Sequence, residues 1–197
     1  MIDDIALTLH DISAVRFGEF KLHSGQISPI YIDLRVLVSH PQALAQVAKA
    51  YAAKISQLNH NILGAYPYAG LPIGVAVSLE MGIPLVYPRK EVKKYGTGKR
   101  VEGVWTAGQT AVLVEDLITS GKSIVEAIRL LKEADINASE AVVLIDREQG
   151  GTAALSMDGI TVHSVLTLTA LLDALVRHGR ISTAKRHEIL DTLGISQ

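Results

Sequence analysis

The segment 112–124, VLVEDLITSGKSI, carries the strongest signal for the fold and for a binding site. It belongs to an apolar run that predicts a buried strand over 110–114. Two adjacent acids, Glu115 and Asp116, follow at the carboxyl end of that strand. Small residues at 119–121 then predict a tight turn that leads into a helix. Backbone N–H groups in such a turn, together with a helix N-terminus, can bind a phosphate.

The acids beside this turn indicate the kind of ligand. A simple anion would be repelled by Glu115 and Asp116. A phosphorylated sugar fits both features, because carboxylates can accept hydrogen bonds from ribose hydroxyls while the turn holds the phosphate. The alternative is a purely structural strand–turn–helix unit in which Thr119 and Ser120 cap the helix. The paired acids favour the sugar phosphate.

Apolar and amphipathic segments alternate along the rest of the chain. Strands are predicted at 61–65, 84–88, 110–114, 140–145 and 161–165. Helices are predicted at 2–12, 41–58, 70–81, 122–134 and 151–157, with two more at the C-terminus. Continuous apolar strands separated by helices predict an α/β fold with a central, mostly parallel sheet flanked by helices. Right-handed crossovers then place the carboxyl ends of the strands at one edge, where ligands bind.

The composition limits the class of protein. The 197 residues suit a single domain over 1–197, and the absence of cysteine excludes disulfides and thiolate metal sites. The first residues carry Asp3 and Asp4 where a secretory signal carries positive charge. No apolar run approaches the ~20 residues of a membrane span, so we expect a cytoplasmic protein with no membrane partner. The net charge of −1 argues against a nucleic acid partner.

One short segment is strongly cationic. Residues 89–100 hold six basic side chains and one acid, whereas the rest of the chain holds 13 basic and 19 acidic residues. Gly96 and Gly98 suit a loop that opens and closes. Cations that close over a leaving group stabilise the negative charge that develops on it. The alternative is an ordinary solvated charged loop.

Four segments, in order along the chain, resemble those of a known enzyme family. The segment 112–124 is similar to the motif with which type I phosphoribosyltransferases bind 5-phosphoribosyl 1-pyrophosphate (PRPP). The segments 17–35, 89–103 and 144–151 resemble the N-terminal signature, the catalytic loop and the base-site segment of orotate phosphoribosyltransferases. Together the four segments resemble most the phosphoribosyltransferase half of UMP synthase. The resemblance implies the type I phosphoribosyltransferase fold, with a small N-terminal hood built from roughly 1–40 plus C-terminal elements.

The resemblance also implies an activity. A glycosyltransferase of this family would move the phosphoribosyl group of PRPP onto orotate, giving orotidine 5'-monophosphate and pyrophosphate in pyrimidine (UMP) biosynthesis. It implies Mg²⁺ as cofactor, bound mainly through PRPP and water rather than by a protein metal site. It further implies a homodimer whose catalytic loop is shared between the subunits.

Each matching residue takes an implied role from the family. The catalytic cations would be Arg89, Lys90 and Lys93. Orotate would be bound by Tyr31, Ile32, Thr119 and Arg147. PRPP would be bound by the three loop cations and by His23, Tyr68, Ala69, Tyr95, Glu115, Asp116, Leu117, Ile118, Thr119, Ser120, Gly121, Lys122 and Ser123. In that set the two acids would hold the ribose hydroxyls, and 119–123 would hold the 5-phosphate.

Some positions depart from the bacterial pattern of the family. His23 stands where a Lys precedes Ser-Gly, and Ala69 stands where a second Lys often follows the Tyr. Lys94 and Tyr95 replace an Asp and a His of many bacterial members. Because histidine is largely neutral near pH 7, His23 would not supply a full charge to pyrophosphate or orotate. These departures bear on rate and base choice more than on fold.

Two other functions stay open. A phosphoribosyltransferase for another base would keep the PRPP site, but a purine enzyme favours an aromatic hood and the chain has only two Phe. A non-catalytic PRPP-binding regulator of the same fold would have less need of Lys93. The orotate carboxylate needs hydrogen-bond donors, and Arg147 with the backbone at Ser28 and Pro29 can provide them.

Overall fold

The computed structural model describes residues 2–21, 25, 27–89 and 100–195. Its helices are α1 (Ile2–Asp11), α2 (Pro41–Ile55), α3 (Gly70–Met81), α4 (Lys122–Glu133), α5 (Gly151–Met157), α6 (Leu168–Arg177) and α7 (Thr183–Leu193), with a 3₁₀ helix at Leu34–Ser39. Its strands are β1 (Val15–Lys21), β2 (Ile27–Ile32), β3 (Ile62–Ala65), β4 (Leu85–Pro88), β5 (Val101–Glu102), β6 (Thr110–Ile118), β7 (Asn137–Asp146) and β8 (Thr161–Thr167).

The described strands form one central sheet and one separate hairpin. The sheet has six strands in the order β5-β4-β3-β6-β7-β8. Neighbouring strands are parallel except for the edge pair β4–β5, which is antiparallel. The predicted α/β fold with a mostly parallel sheet is therefore confirmed. Strands β1 and β2 pair antiparallel outside this sheet, and we call β1, β2 and the 3₁₀ helix the hood.

Helices cover both faces of the sheet. The larger apolar cluster lies on one face and contains buried residues of α1, α2, α3, α6 and α7. The smaller cluster lies on the other face, beneath α4 and α5. Helix α2 begins at Pro41, whose missing N–H is not needed in a first turn. In α4 the apolar residues recur at helical spacing, so Ile124, Ala127, Ile128 and Leu131 are all buried.

Strand β6 is longer than its apolar run predicts. It pairs with β3 only as far as Val114, opposite Ala65, but continues against β7 as far as Ile118, opposite Asp146. Glu115 and Asp116 therefore lie within a strand rather than after one. Beyond Val114 only one flank of β6 has a strand partner, so the flank next to the end of β3 opens to solvent.

The 3₁₀ helix and β5 were not predicted from the pattern, and two predicted strands are longer than expected. The 3₁₀ helix starts after Asp33, whose carboxylate accepts a hydrogen bond from the Arg35 N–H. The edge strand β5 has two residues, too few for a periodic signal. Strands β7 and β8 extend beyond the predicted 140–145 and 161–165. In the described part of the chain, none of the helices combines the length and hydropathy that a bilayer span requires.

Candidate active site

A pocket of about 300 Å³ lies at the carboxyl edge of the sheet, where β3 ends and β6 continues. We call it the carboxyl-edge pocket. Its walls come from the hood, from the loop between β3 and α3, from β6 and from the first turn of α4. The residues that line it are Ile32, Asp33, Leu34, Arg35, Tyr66, Pro67, Tyr68, Ala69, Glu115, Asp116 and Ser123.

The paired acids form the floor of this pocket. Glu115 is only 4% exposed, and its Oε1 accepts a 3.0 Å hydrogen bond from the Asp116 N–H. The Asp116 carboxylate in turn accepts a 2.8 Å bond from the Leu117 N–H. Burial first, and then the negative charge of Asp116, raise the pKa of Glu115 to about 8. Both acids line the pocket, and the buried surroundings of Glu115 favour the protonated form of its carboxyl.

Backbone packing positions this floor. The hydroxyl of Tyr51, which is fully buried in α2, donates a 2.7 Å hydrogen bond to the Glu115 carbonyl. Helix α3 starts so close to β6 that a Cβ on Gly70 would lie 3.0 Å from Glu115 Oε1 and from the Val114 carbonyl oxygen. The N-terminus of α3 therefore points its positive end toward the acids.

The turn after β6 packs closely against α5. Gly121 has φ +78, a conformation that side chains disfavour, and it precedes the first residue of α4. A Cβ on Gly151 would clash with the carbonyl oxygen of Thr119. The first turn of α4 sends Ser123 into the pocket, where its hydroxyl hydrogen-bonds the Glu115 carboxyl. Of the predicted phosphate turn at 119–123, Ser123 is the residue that lines the pocket together with the paired acids.

The loop between β3 and α3 forms a second wall, and it contains Pro67, Tyr68 and Ala69 with a cis peptide between the first two. Tyr66, which precedes them, packs its ring into the smaller apolar cluster. Its hydroxyl donates a 2.6 Å hydrogen bond to Glu126 Oε2 on α4. This bond joins the loop to the helix that carries Ser123.

The hood forms the third wall through Ile32 to Arg35. Tyr31 is on the opposite face of β2 from Ile32, as strand alternation requires. Its ring lies 5.4 Å from Phe20, and the Arg16 guanidinium lies 5.1 Å from its centroid. Tyr31 is thus packed against hood side chains, and it is absent from the pocket wall.

The base-site segment lies beside the turn. The Arg147 N–H donates a 3.0 Å hydrogen bond to the carbonyl of Ile118. The Arg147 side chain is half-buried, and its Nε is buried without a hydrogen-bond partner in the described part of the chain. Burial also lowers the pKa of Arg147. A buried donor of this kind is costly unless a ligand satisfies it, which suits an anionic group of a bound base.

The cationic segment is described only at its two ends. Arg89 pairs with Glu102 at 2.8 Å, and its N–H donates to the carbonyl of Arg100. His23, Lys90, Lys93 and Tyr95 lie outside the described residues.

The pocket brings together six of the residues implied by the resemblance, namely Ile32, Tyr68, Ala69, Glu115, Asp116 and Ser123. Other described residues with implied roles are not on its walls, namely Tyr31, Arg89, Leu117, Ile118, Thr119, Ser120, Gly121, Lys122 and Arg147. Asp33, Arg35 and Tyr66 also line the pocket, and they were not among the site residues predicted from the sequence. Asp33 and Arg35 carried one available signal, because they are opposite charges two residues apart directly after Ile32.

Comparison with known proteins agrees with this architecture. Residues 37–156 match the family described as Phosphoribosyl transferase domain. An orotate phosphoribosyltransferase of Caenorhabditis elegans is 39% identical over 189 residues, which cover 95% of this chain and 83% of the relative. The uridine 5'-monophosphate synthase of Bos taurus is 38% identical over 92% of this chain and 38% of the relative.

A solved structure of a UMP synthase has the same fold. The structure of Leishmania donovani UMP synthase superposes with a TM-score of 0.89 and 37% identity, over 98% of this chain and 42% of that chain. This chain thus spans about two fifths of the length of both UMP synthases. The matches to the family description and to the C. elegans enzyme cover most of the chain, so the chain belongs to the orotate phosphoribosyltransferase family.

Proposed function

We propose that this chain transfers the 5-phosphoribosyl group of PRPP to orotate, giving orotidine 5'-monophosphate and pyrophosphate. The observation that carries this proposal is the carboxyl-edge pocket, in which Glu115 and Asp116 share walls with Ser123 and with the Tyr68–Ala69 loop. Carboxylates for ribose hydroxyls and a helix N-terminus for the 5-phosphate are the two features that a phosphorylated sugar requires.

The reaction needs positioning and charge stabilisation more than a strong base. Orotate N1 forms a bond to the anomeric carbon of the ribose, and the bond from that carbon to pyrophosphate breaks. Orotate N1 is acidic enough to react as an anion. Ser123 and the turn before it would fix the phosphate end, Glu115 and Asp116 the ribose, and Arg147 the base. Arg89, Lys90 and Lys93 would stabilise the charge on the departing pyrophosphate.

The donor set of the pocket suits Mg²⁺. This ion prefers oxygen ligands and keeps several waters, and the Asp116 carboxylate offers oxygen at the cavity surface. Mg²⁺ bound to PRPP would neutralise part of the pyrophosphate charge. Asp116 would then hold the metal-bound waters or the ribose hydroxyls. Glu115, whose burial favours its protonated form, would hydrogen-bond a ribose oxygen.

The proposed enzyme is a single domain over 1–197, and it works in the cytoplasm. Its N-terminal hood region is proposed to extend beyond β1, β2 and the 3₁₀ helix, over roughly 1–40 plus C-terminal elements.

We also propose a homodimer in which the cationic segment reaches the partner's pocket. Helix α3 supports this, because Leu79 is 81% exposed and Val75 is 45% exposed on a helix that is apolar on all sides. Sedimentation of the purified chain tests the dimer.

The experiment that tests the activity is loss of orotate absorbance in the presence of PRPP and Mg²⁺. Turnover by the wild type is expected, together with a fall of at least ~100-fold in Lys93→Ala, the scale of losing one partner for transition-state charge. Lys54→Ala, an exposed lysine on α2, is the matched control and should keep wild-type rates. Equal rates in Lys93→Ala and the wild type would remove Lys93 from the mechanism.

The same assay separates the two alternatives. Turnover with another base and none with orotate would favour a different phosphoribosyltransferase. Binding of PRPP without release of pyrophosphate for any base would favour a non-catalytic regulator. The Arg147 guanidinium, with its buried and unsatisfied Nε, favours orotate because orotate carries a carboxylate that other bases lack.

A further inference from the structure

The hood presents one basic side chain to the carboxyl-edge pocket. Arg35 lines the pocket although its side chain is 63% exposed. Its guanidinium is oriented by Asp33, to which Nε donates at 2.7 Å and Nη2 at 2.9 Å. Nη2 also donates to the Tyr31 hydroxyl at 3.1 Å. Nη1 donates to no residue in the described part of the chain, so the planar fork is fixed while one of its edges stays available to a ligand.

Arg35 differs in charge from the other charged residues on the described pocket walls. The described walls carry three acids, Asp33, Glu115 and Asp116, and Arg35 is the one basic side chain among them. Ala69 adds no charge to the opposite loop. PRPP carries several negative charges, and its pyrophosphate must lie away from the turn that takes the 5-phosphate. Among the described residues that line the pocket, Arg35 is the cation available to that end.

We propose that Arg35 is a substrate-binding residue that contacts the pyrophosphate of PRPP through the free edge of its guanidinium. This assignment rests on the proposed function. Arginine suits the role because its donors match phosphate oxygens in pairs and its charge persists at any working pH. The Asp33 carboxylate orients the guanidinium in the free chain, and an amide oxygen at this position could still accept the Nε–H bond.

A bracing role is the competing explanation. The Asp33 carboxylate caps the 3₁₀ helix by accepting the Arg35 N–H, and the ion pair could merely stiffen the hood. The two explanations differ in sign for Asp33→Asn. This variant keeps a capping oxygen but removes a negative charge next to the guanidinium. If Arg35 binds the anion, the affinity of Asp33→Asn for PRPP should equal or exceed that of the wild type. If the ion pair only stiffens the hood, that affinity should fall.

The experiment is calorimetric titration of the full chain with Mg²⁺–PRPP, Mg²⁺–pyrophosphate and ribose 5-phosphate. Arg35→Gln should bind PRPP and pyrophosphate at least ~10-fold more weakly, the scale of a lost charge-assisted hydrogen bond. Its affinity for ribose 5-phosphate should stay within about twofold of the wild type, since that ligand lacks the pyrophosphate. Arg177→Gln breaks a bidentate pair with Asp3 away from the pocket and is the matched control, with wild-type affinities expected.

Each outcome has a consequence. Equal PRPP affinity in Arg35→Gln and the wild type overturns the role of Arg35 while leaving the proposed function standing. Comparable losses in Arg35→Gln and Asp33→Asn, for all three ligands, overturn it in favour of a brace. No PRPP binding by the wild type overturns the proposed function and the assignment with it.

Discussion

The two edges of the central sheet each carry a cavity, and their difference shows what marks a site. The cavity at the amino edge is the larger, at about 510 Å³, and the carboxyl-edge pocket has about 300 Å³. We call the larger one the amino-edge cavity. It is lined by the connections around β6, α4 and β7, namely Ala107, Gly108, Lys132, Asp135, Ile136, Asn137, Ala138 and Ser139.

Hydrogen bonds within the fold tie together the turns at the amino edge. The Gly108 N–H donates to the Asp135 carbonyl at 2.7 Å, and the Asn137 side-chain amide donates to the Gly108 carbonyl at 2.8 Å. Groups that are already paired in this way have little left to offer a ligand.

At the carboxyl edge, in contrast, the fold buries polar groups whose burial is energetically unfavourable. Glu115 is buried beside a second acid, and the Arg147 Nε is buried without a partner in the described chain. Such arrangements destabilise the folded chain unless a ligand compensates them. A buried carboxyl with a raised pKa and a buried guanidinium N–H without a partner in the described chain, rather than volume, therefore distinguish the carboxyl edge. Three predictions test this contrast, in order of decreasing effect.

The largest effect is expected from the pH dependence of stability. Burial and Asp116 raise the pKa of Glu115 to about 8 in the folded chain, whereas an unfolded glutamate has its ordinary value of 4.5. Between these values the folded state holds the extra proton, so the free energy of unfolding falls as pH rises. The slope is at most about 1.4 kcal/mol per pH unit, or about 4 kcal/mol between pH 5 and pH 8.

Urea unfolding at several pH values checks this expectation. Glu115→Gln should flatten the slope between pH 5 and pH 8. Asp135→Asn, at the amino edge, should keep the wild-type slope, because Asp135 is exposed there. Identical slopes in the wild type and Glu115→Gln would contradict the buried, protonated state of Glu115.

The second effect concerns backbone packing. Gly151→Ala should push Thr119 away, because the added Cβ meets the Thr119 carbonyl oxygen. A displacement near 1 Å in a positioning turn can lower catalysis ~100-fold, so kcat/KM should fall on that scale. Gly108→Ala is the matched variant at the amino edge, where a Cβ meets nothing within 4 Å but φ is +87.

Steady-state kinetics and thermal unfolding separate these two glycine variants. Gly108→Ala should lose about 1 kcal/mol of stability through its strained backbone, with unchanged kcat/KM. Full activity in a folded Gly151→Ala protein would show that the turn tolerates displacement.

The smallest effect concerns the two hydrogen bonds that anchor α4. Tyr66→Phe removes the bond to Glu126 near the pocket, and Trp105→Phe removes a 2.9 Å bond to the Ala134 carbonyl at the amino edge. Each should lower stability by about 1 kcal/mol. Only Tyr66→Phe should also raise the KM for PRPP, by a few fold, since Tyr66 joins the loop wall to the helix that carries Ser123. Equal KM values in both variants would reduce Tyr66 to a structural residue.

The periodic segments of the chain could be predicted well. The helices over 70–81 and 151–157 have the predicted bounds, and each predicted strand of the sheet is present. Local patterns suffice here, because an apolar face repeats every two residues in a half-buried strand or every 3.6 residues in a helix. The true end of β6 could not be predicted, since it is set by pairing with β7 rather than by the residues of β6.

The two acids, the turn of small residues and the start of a helix adjoin in the chain at the end of one strand, so their proximity could be predicted from the sequence. The distant groups that join them are set by the packing of separate elements. Tyr66 and Glu126 are 60 residues apart, and Arg35 reaches the pocket from a hairpin outside the sheet. Contacts of this kind depend on how separate elements pack, and no local periodicity encodes that packing.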